Sequence, residues 1–244
     1  MESQIVSKIN SEHFQRYGYE IINSSLREEY EAFHEELKRY FLKSIEKLIS
    51  KKVELDHLKN YHRIIDEYDI DHHSLIQGMT RKLPDIFHNT IFIKQIIKSC
   101  EKFIGEEIKI TDDLIWFRIC RPQNDDSNDL HRDHWFPNYL DVLNLYIPIA
   151  GSYSDSAMKV VPKSHKWSED EVVPTFSGDS GQKYVKNGVA YSAPGVKYCK
   201  YPIKEHRPDV KLGDFMIFNP KCIHGGGDNF SEETRISLEI RIQL

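Results

Sequence analysis

The pattern of apolar residues changes near residue 114, and this change constrains the fold more than any other feature of the chain. Before it, apolar residues recur every three or four positions, which is typical of amphipathic helices. After it, short apolar runs are separated by Pro, Gly, Asn and Asp, which is typical of strands and turns. This order predicts a mainly β, α+β fold in which N-terminal helices pack on one sheet of a closed or sandwiched β structure, such as a jelly roll.

The helical part, about residues 1–110, is predicted to hold a short strand at 17–22 and two long helices. Ser25 and Glu28 have the spacing of a capping box, which predicts the start of the first helix. Its apolar stripe, expected to face a sheet, comprises Leu26, Tyr30, Phe33, Leu37, Phe41, Ile45 and Leu48. The second helix is predicted from Pro84 to Gly105, with inward side chains at Ile86, Phe87, Ile91, Ile97, Cys100 and Phe103. Residues 54–80 are polar and their pattern is ambiguous.

The β part, about residues 111–244, contains five clear apolar runs. We predict strands at Leu114–Cys120, Val142–Ile149, Ala157–Val161, Phe215–Phe218 and Thr234–Ile242. Residues 163–211 are rich in Lys and Tyr and weakly patterned, and the segment is too long for an ordinary turn, so we interpret it as a lid or insertion. No boundary signal divides the chain, and a single domain spanning residues 1–244 is expected.

Composition excludes several classes of protein. No run of about 18 apolar residues is present, so no membrane-spanning helix is expected, and the N-terminus lacks the pattern of a secretory signal. The four cysteines are scattered, which argues against a disulfide scaffold or a thiolate zinc site. The net charge of −5 disfavours nucleic-acid binding. We therefore expect a cytoplasmic monomer or homodimer whose partner is a small molecule.

Three places in the β part carry residues suited to chemistry. In His131-Arg132-Asp133, an extended backbone would point the imidazole and the carboxylate to one face and Arg132 away from it. His224 follows an apolar strand and precedes a Gly-rich turn. The last strand alternates Thr234, Ile236, Leu238, Ile240 and Ile242 with Arg235, Ser237, Glu239 and Arg241. Taken singly, these are most simply a hydrogen-bonded pair, a loop histidine and a strand with its polar face in water.

Taken together, the three places predict a metal site. Two His and one carboxylate suit a non-haem Fe(II) that keeps three coordination positions open for a chelating cosubstrate and O₂. A chelating 2-oxo acid presents a second carboxylate, which Arg235 could hold bidentately while Ser237 adds a hydroxyl hydrogen bond. Arg241 lies on the same face but about 20 Å further along an extended strand. Both arginines cannot serve one small anion, and Arg235 is nearer to His224 in the sequence.

The second half of the chain resembles the Fe(II)/2-oxoglutarate-dependent dioxygenases, and most closely the phytanoyl-CoA dioxygenase-like (PhyH) group. The resemblance covers roughly residues 112–243, with a looser match at Tyr17-Gly18-Tyr19. The matching segments are His131-Arg132-Asp133, Val160-Val161-Pro162-Lys163-Ser164-His165, Leu212-Gly213-Asp214-Phe215-Met216-Ile217-Phe218, His224-Gly225 with Asn229, and Arg235-Ile236-Ser237. The resemblance implies a double-stranded β-helix in which His131, Asp133 and His224 bind iron and 2-oxoglutarate reaches Arg235 and Ser237.

The sequence departs from the family at one position and leaves two roles open. Some relatives have a hydroxyl residue two positions after the distal His, where this chain has Gly226, so one cosubstrate hydrogen bond is either absent or supplied elsewhere. Arg118 and Asn144 are candidates for the metal-proximal carboxylate of the cosubstrate. The alternatives are an ion-pair arginine and a structural asparagine.

Four further signals have simple interpretations. Asp71-His72-His73 is taken as a solvated loop or helix start rather than a phosphoesterase motif. The run at 124–129 lacks the spacing of a calcium loop and is taken as a mobile loop at the mouth of the site. His165 is expected to secure a turn. Residues 159–211 contain ten Lys or Arg and six Asp or Glu, which indicates either a solvated surface or a field that favours an anionic substrate.

The resemblance implies that the chain uses Fe(II), 2-oxoglutarate and O₂ to hydroxylate an unactivated C–H bond of a small polar metabolite, releasing succinate and CO₂. Two alternatives remain. One is a cupin-like metal-dependent isomerase or small-molecule-binding protein, against which the Arg235 and Ser237 pair counts. The other is an interaction protein with a vestigial pocket, against which the complete ligand set counts. Desaturation, ring closure and epimerisation also remain open as outcomes.

Overall fold

The computed structural model describes residues 4–124, 126–186 and 189–244. Its α-helices are α1 (Gln4–Ser7), α2 (Glu12–Tyr17), α3 (Arg27–Ile49), α4 (Tyr61–Glu67), α5 (His72–Thr80), α6 (Leu83–Phe87) and α7 (Ile91–Ile104). The segment whose pattern is ambiguous in sequence forms a 3₁₀ turn at Leu58–Asn60, then α4 and α5. No helix in the described part of the chain is long and apolar enough to cross a membrane.

Helix α3 buries most of its predicted stripe, namely Tyr30, Phe33, Leu37, Phe41 and Ile45. The prediction is wrong at the last position, because Leu48 is 57% exposed. The predicted capping box is also wrong, since α3 begins at Arg27 and Ser25 has a left-handed φ of 56°. Ser24 is instead held by tertiary contacts: its backbone N donates to Asp214 Oδ1 at 2.9 Å, and its hydroxyl donates to the backbone O of Gly213.

The second predicted helix is two helices, α6 and α7, separated before Thr90. Its buried side chains in α7 are Phe92, Ile93, Ile96, Cys100 and Ile104. Ile91, predicted to point inward, is 65% exposed. The break resets the helical phase, so a stripe drawn continuously from Pro84 falls on the wrong face at Ile91. The helix ends at Gly105, as predicted, with a φ of 83° that glycine adopts without strain.

The strands are β1 (Tyr19–Ile22), β2 (Lys109–Cys120), β3 (Leu143–Ala150), β4 (Lys159–Val160), β5 (Val172–Pro174), β6 (Tyr184–Lys186), β7 (Val189–Tyr191), β8 (Val196–Cys199), β9 (Phe215–Phe218), β10 (His224–Gly225) and β11 (Arg235–Gln243). The main sheet has the order β1-β9-β3-β11-β2, and its neighbours are all antiparallel. Strand β11 therefore lies inside the sheet, next to the edge strand β2, and pairs on both sides.

The two faces of the main sheet differ in polarity. On one face, Ile236, Leu238, Ile240 and Ile242 join a core shared with α3, α5 and α7, and the ring of Phe41 meets that of Phe117 edge to face at 5.4 Å. The other face carries the polar residues of β11, which are also buried. The simplest interpretation of the last strand, with its polar side in water, is therefore wrong, because a second layer covers that side.

The second layer is a short antiparallel arrangement around β10 and β4. Isolated bridges join His131 to His224 and Val160 to His206, which extends the layer on both sides. Side chains from this layer and from β3 and β9 form a separate apolar cluster that includes Tyr146, Val160 and Phe218. The fold is thus a mixture of helices and antiparallel sheets, as predicted, and the polar face of β11 lies between its layers.

Candidate metal centre

His131 and His224 are brought together by a backbone bridge. The backbone N of His131 donates to His224 O at 2.8 Å, and the backbone N of His224 donates to His131 O at 2.9 Å. Asp133 lies in a 3₁₀ turn (Asp133–Trp135) rather than in the extended conformation assumed in the sequence argument. One ligand atom from each of the three buried side chains nevertheless lies within 4.8 Å of the other two.

The orientation of both imidazoles is set by their Nδ1 atoms. Nδ1 of His131 donates to the backbone O of Asp129 at 2.7 Å, and Nδ1 of His224 donates to that of Cys222 at 3.0 Å. A neutral imidazole with its proton on Nδ1 has a lone pair on Nε2. The two Nε2 atoms lie 3.4 Å (His131) and 3.8 Å (His224) from Asp133 Oδ1.

The charge states of His224 and Asp133 favour a cation between them. Burial, followed by the neighbouring His131, lowers the pKa of His224 to about 4, so its imidazole is neutral at pH 7. Burial alone would raise the pKa of Asp133, but Arg241 and the two imidazoles outweigh it and hold that pKa well below its usual range. Nε2 of His224 is buried and has no hydrogen-bond partner among the residues that the structure describes. Metal ions bind to atoms that carry free lone pairs and face one another in this way. The three side chains therefore form a candidate metal site.

Arg132 points away from this cluster, as predicted, yet it is fully buried. Its Nη2 donates to the backbone oxygens of Ser164 at 2.7 Å and Trp167 at 2.9 Å, and its Nη1 donates to Glu169 at 3.0 Å. Arg132 therefore ties the chain between the two ligands to the turn at 164–167. His165 in that turn lies 3.3 Å from the backbone O of Gln15 through Nε2, which agrees with the structural role expected for it.

Arg241 contacts Asp133 directly, and the sequence did not predict this contact. Its Nε and Nη2 both donate to Asp133 Oδ2, at 2.9 and 2.7 Å. The guanidinium also lies 5.2 Å from the centre of the Tyr139 ring. The signal was present in the sequence, since Arg241 shares the polar face of β11 with Arg235. Whether its side chain reaches Asp133 depends on the register of β11 with its neighbouring strands. The sequence alone does not specify that register.

Arg235 is a buried cation with no ion-pair partner in the described part of the chain. It is 1% exposed, and its Nη1 donates to Gly226 O at 2.5 Å while its Nη2 contacts Cys120 Sγ at 2.8 Å. Burial raises the pKa of the Cys120 thiol, so that group is neutral. Nε of Arg235 and Oγ of Ser237 are buried without partners among the described residues. The sequence-predicted anion clamp thus has free donors directed into the interior.

Arg118 and Glu239 form an ion pair on the same face, with Nε 2.9 Å from Oε2. Burial would raise the pKa of Glu239, but Arg118 and Arg241 outweigh it and lower that pKa to about 2. The ion-pair alternative for Arg118 is therefore present in the structure, although 31% of its side chain stays exposed. Asn144 lies opposite Arg241 in the sheet register. Both polar atoms of its side chain are buried, and no described residue forms a hydrogen bond with them.

Two connected spaces adjoin these residues. A small cavity of about 40 Å³ is lined by His131, His224 and Arg235, among others. A larger cavity of about 320 Å³ is lined by His131, Asp133 and Arg241 at one end and by Trp116 and α5 at the other. Arg118 lines both. The residues predicted from three distant parts of the sequence therefore share one site.

The Asp71-His72-His73 motif forms the start of α5, as one of its two interpretations predicts. Asp71 is the N-cap and accepts from the backbone N atoms of His73 and Ser74. The motif is not simply solvated, because His72 is 3% exposed and both histidines line the larger cavity. Nε2 of His72 lies 3.5 Å from Asp126 Oδ2.

Two residues of the acidic run, Asp126 and Asn128, line both cavities, and residue 125 of the run is outside the described residues. Asp126 is held by Arg121, whose Nε and Nη2 donate to its two carboxylate oxygens at 2.9 and 3.0 Å. The segment 163–211 adds wall residues 190–193 to the larger cavity. The cations that line this cavity are Arg118 and Arg241, rather than lysines of that segment.

The packing around Gly226 explains why this chain has no hydroxyl residue two positions after the distal His, where some relatives have one. A Cβ atom at this position would lie 2.4 Å from Ser127 Cβ and 3.1 Å from Arg235 Nη2. Ser127 is buried and lines the small cavity together with Gly226 and Arg235. The side chain of Ser127, in the loop at 121–130, therefore leaves no room for a side chain at position 226. No local sequence signal indicates that Ser127 lines this cavity.

The sequence matches the family profile described as phytanoyl-CoA dioxygenase (PhyH) over residues 14–237. The chain belongs to the PhyH family. This confirms the family predicted from the motifs, and the match extends further towards the N-terminus than those motifs do. No curated protein sequence matches the chain.

Solved structures resemble the PhyH fold of this chain at low sequence identity. EvdO2 from Micromonospora carbonacea var. aurantiaca, complexed with 2-oxoglutarate, has a TM-score of 0.55 at 11% identity, over 96% of this chain and 89% of its own. The carbocyclase SnoK from nogalamycin biosynthesis has a TM-score of 0.50 at 12% identity, over 99% and 83%. The epimerase SnoN, in complex with Fe³⁺, α-ketoglutarate and nogalamycin RO, has a TM-score of 0.50 at 13% identity, over 95% and 80%. At these identities the likeness shows the fold alone.

Proposed function

We propose that the chain is an Fe(II)- and 2-oxoglutarate-dependent oxygenase, formed by one domain with a double-stranded β-helix at its centre. One observation carries the proposal. Two of the three proposed metal ligands, His131 and His224, line the same small cavity as the buried guanidinium of Arg235, and a carboxylate oxygen of the third, Asp133, lies within 4.8 Å of a ring nitrogen of each histidine. Membership of the PhyH family supports it, as do the 2-oxoglutarate bound to EvdO2 and the iron and α-ketoglutarate bound to SnoN.

The donor set fits Fe(II). His131 and His224 offer neutral imidazole nitrogens, Asp133 offers a carboxylate oxygen, and this combination of ligands is typical of non-haem iron oxygenases. Their second atoms are held by backbone oxygens and by Arg241, as is usual around metal ligands. When bound, the iron would supply the oxidative chemistry in which O₂ and 2-oxoglutarate give succinate and CO₂, with one oxygen atom entering succinate and the other the C–H bond of the substrate.

The residues of the chain would bind and orient 2-oxoglutarate and exclude water from the site. Arg235 and Ser237 would hold the distal carboxylate of 2-oxoglutarate through donors that have no other partner among the described residues. Asn144 and Arg118 are proposed for the carboxylate nearer the metal. Burial of the polar face of β11 keeps bulk water from the reacting groups, which strengthens each of these interactions.

The substrate would occupy the larger cavity beside Asp133. Its volume of about 320 Å³ is at the low end of the range for small-molecule sites. Its lining combines aromatic faces with hydrogen-bonding groups, including Trp116, Tyr139, Gln77 and Arg118. These features support a small polar metabolite as the substrate and hydroxylation of one of its C–H bonds as the reaction.

Anaerobic titration tests the proposal. The metal-free protein is given Fe(II) and then 2-oxoglutarate, and the visible charge-transfer band of the chelate is recorded. We expect the band to appear with Fe(II) and 2-oxoglutarate together and with neither alone, and CO₂ to be released from 2-oxoglutarate once air is admitted. A chain that binds Fe(II) without acquiring the band would be a cupin-like protein of another activity. Mass spectrometry of the product then separates gain of one oxygen from desaturation, ring closure and epimerisation.

A further inference from the structure

The contact between Arg241 and Asp133 has an unusual form. An arginine that faces a carboxylate commonly donates to both of its oxygens. Here Nε and Nη2 both donate to Oδ2, at 2.9 and 2.7 Å. Oδ1 is left to face the two imidazoles, at 3.4 Å from Nε2 of His131 and 3.8 Å from Nε2 of His224. The two oxygens of Asp133 therefore have different partners.

We propose that Arg241 is a positioning residue that makes Asp133 a ligand through one oxygen only. The inference rests on the proposed metal site. Two donors satisfy the lone pairs of Oδ2, so that oxygen is a poor ligand, while Oδ1 remains available. An octahedral ion bound by Oδ1 and two imidazoles keeps three positions free, which a chelating cosubstrate and O₂ require. A carboxylate bound through both oxygens would leave two.

The surroundings of Arg241 hold it in this position. The residue is 3% exposed and lies on β11, which has a paired strand on each side. Oε2 of Glu239 lies 3.6 Å from its Nη2, and the ring of Tyr139 covers the guanidinium. The register between β11 and β2 shifts between Ile240 and Ile242, and irregularities of this kind re-aim side chains near active sites.

Lysine cannot reproduce the arrangement. Its ammonium is a point charge on a flexible stem, whereas the guanidinium presents two donors in a rigid plane. Arg241→Lys therefore keeps the positive charge beside Asp133 and Glu239 but loses the paired donors. This variant separates the geometry of the contact from its charge. Arg241→Met removes both.

The test measures affinity for Mn(II) by calorimetry in the absence of 2-oxoglutarate. We expect Arg241→Met to weaken Mn(II) binding by about 10–100-fold, as loss of a partner of a metal ligand commonly does, and Arg241→Lys to weaken it less. The matched control is Arg121→Met, which breaks the buried pair with Asp126 and should leave Mn(II) affinity unchanged. The visible spectrum of the Co(II)-loaded protein should change in Arg241→Lys but not in Arg121→Met, because only the first alters coordination.

The outcomes are distinct. Mn(II) affinity and a Co(II) spectrum unchanged in Arg241→Lys and Arg241→Met would overturn the inference while leaving the proposed function intact. An equal loss of affinity in Arg121→Met would also overturn it, because the effect would then be general destabilisation. If Arg241→Met does not fold, Arg241→Lys carries the test alone. Failure of the unaltered chain to bind Mn(II) or Fe(II) would overturn both the inference and the proposed function.

Discussion

Ser127 occupies the space that a side chain on Gly226 would need. The two residues are distant in sequence, but a Cβ atom on Gly226 would lie 2.4 Å from Ser127 Cβ, well inside van der Waals contact. Both line the small cavity that also contains Arg235. A glycine after the distal histidine and a serine in the loop at 121–130 are therefore structurally complementary.

This complementarity predicts the effect of moving the side chain. Gly226→Ser alone should destabilise the protein by about 1–3 kcal/mol, because the added atoms meet Ser127 and the guanidinium of Arg235 in a packed site. Ser127→Gly combined with Gly226→Ser should recover part of the loss, since the clashing Cβ is removed. Urea unfolding of both variants and of Ser127→Gly measures this. Additive losses in the double variant would contradict the relationship.

Arg235→Ala should separate cosubstrate binding from metal binding. Two charge-assisted hydrogen bonds to a carboxylate are worth about 3 kcal/mol, which corresponds to ~100-fold in affinity. We therefore expect the 2-oxoglutarate concentration at half-maximal CO₂ release to rise by that order. Mn(II) affinity should remain close to that of the unaltered chain. A parallel loss of both would show that Arg235 supports the metal site instead.

Asp133→Ala should abolish succinate production, because it removes the only anionic group among the proposed ligands. Metal affinity, measured by calorimetry with Mn(II), should fall by more than the roughly 10–100-fold expected for a residue that only supports a ligand. Asp209→Ala serves as the control, since that carboxylate is 76% exposed and pairs with Lys211 at the surface. Normal turnover by Asp133→Ala would refute the ligand assignment.

His72 should make the fold sensitive to acid. Burial, partly offset by Asp126, lowers the pKa of His72 from 6.5 to about 4. Because the unfolded chain then binds the proton more tightly, the neutral buried imidazole contributes its full stability above about pH 6.5, and this contribution is lost as the pH falls through about 4. The shift corresponds to ~3 kcal/mol.

The comparison for this prediction is His72→Asn. Its free energy of unfolding should fall less steeply between pH 6.5 and 4 than that of the unaltered chain, measured by urea unfolding in matched buffers. Equal slopes would show that His72 is protonated in the folded state or that it is more exposed than the structure indicates.

Phe41 and Leu48 should differ sharply although both belong to the predicted stripe of α3. Phe41 is fully buried against Phe117 of the main sheet, so Phe41→Ala should cost about 3–5 kcal/mol. Leu48 is 57% exposed, and Leu48→Ala should change stability by less than about 0.5 kcal/mol. Similar losses at both positions would mean that the end of α3 is covered in solution.

Residues with a strong local signal are placed well by the sequence. His131, Asp133, His224 and Arg235 follow or form apolar strands and turns whose order matches the family, and the structure brings them to one site. The strand at Phe215–Phe218 has the predicted bounds, whereas β2 begins earlier than predicted, at Lys109, and β4 covers only Lys159–Val160 of the predicted Ala157–Val161. Here the local pattern and the global fold specify the same arrangement.

Residues whose environment depends on register or on distant segments are not placed by the sequence. The start of α3 is decided by contacts of Ser24 with the loop at Asp214, and these override the capping pattern. The role of Arg241 depends on its depth in the sheet. His72 is buried by segments that are distant in sequence. Periodicity describes one element at a time and cannot report such contacts.

Successive side chains of β11 point to opposite faces of the sheet. Hydrogen-bonding and charged groups lie on one face, and branched aliphatic groups lie on the other. Deleting a single residue near Arg235 would rotate every following side chain to the opposite side. Glu239 and Arg241 would then enter the helix-packed interior, and isoleucines would replace them beside the metal ligands. This strand can therefore diverge by substitution but hardly by insertion or deletion, so the spacing from Arg235 to Arg241 should be inherited as one unit.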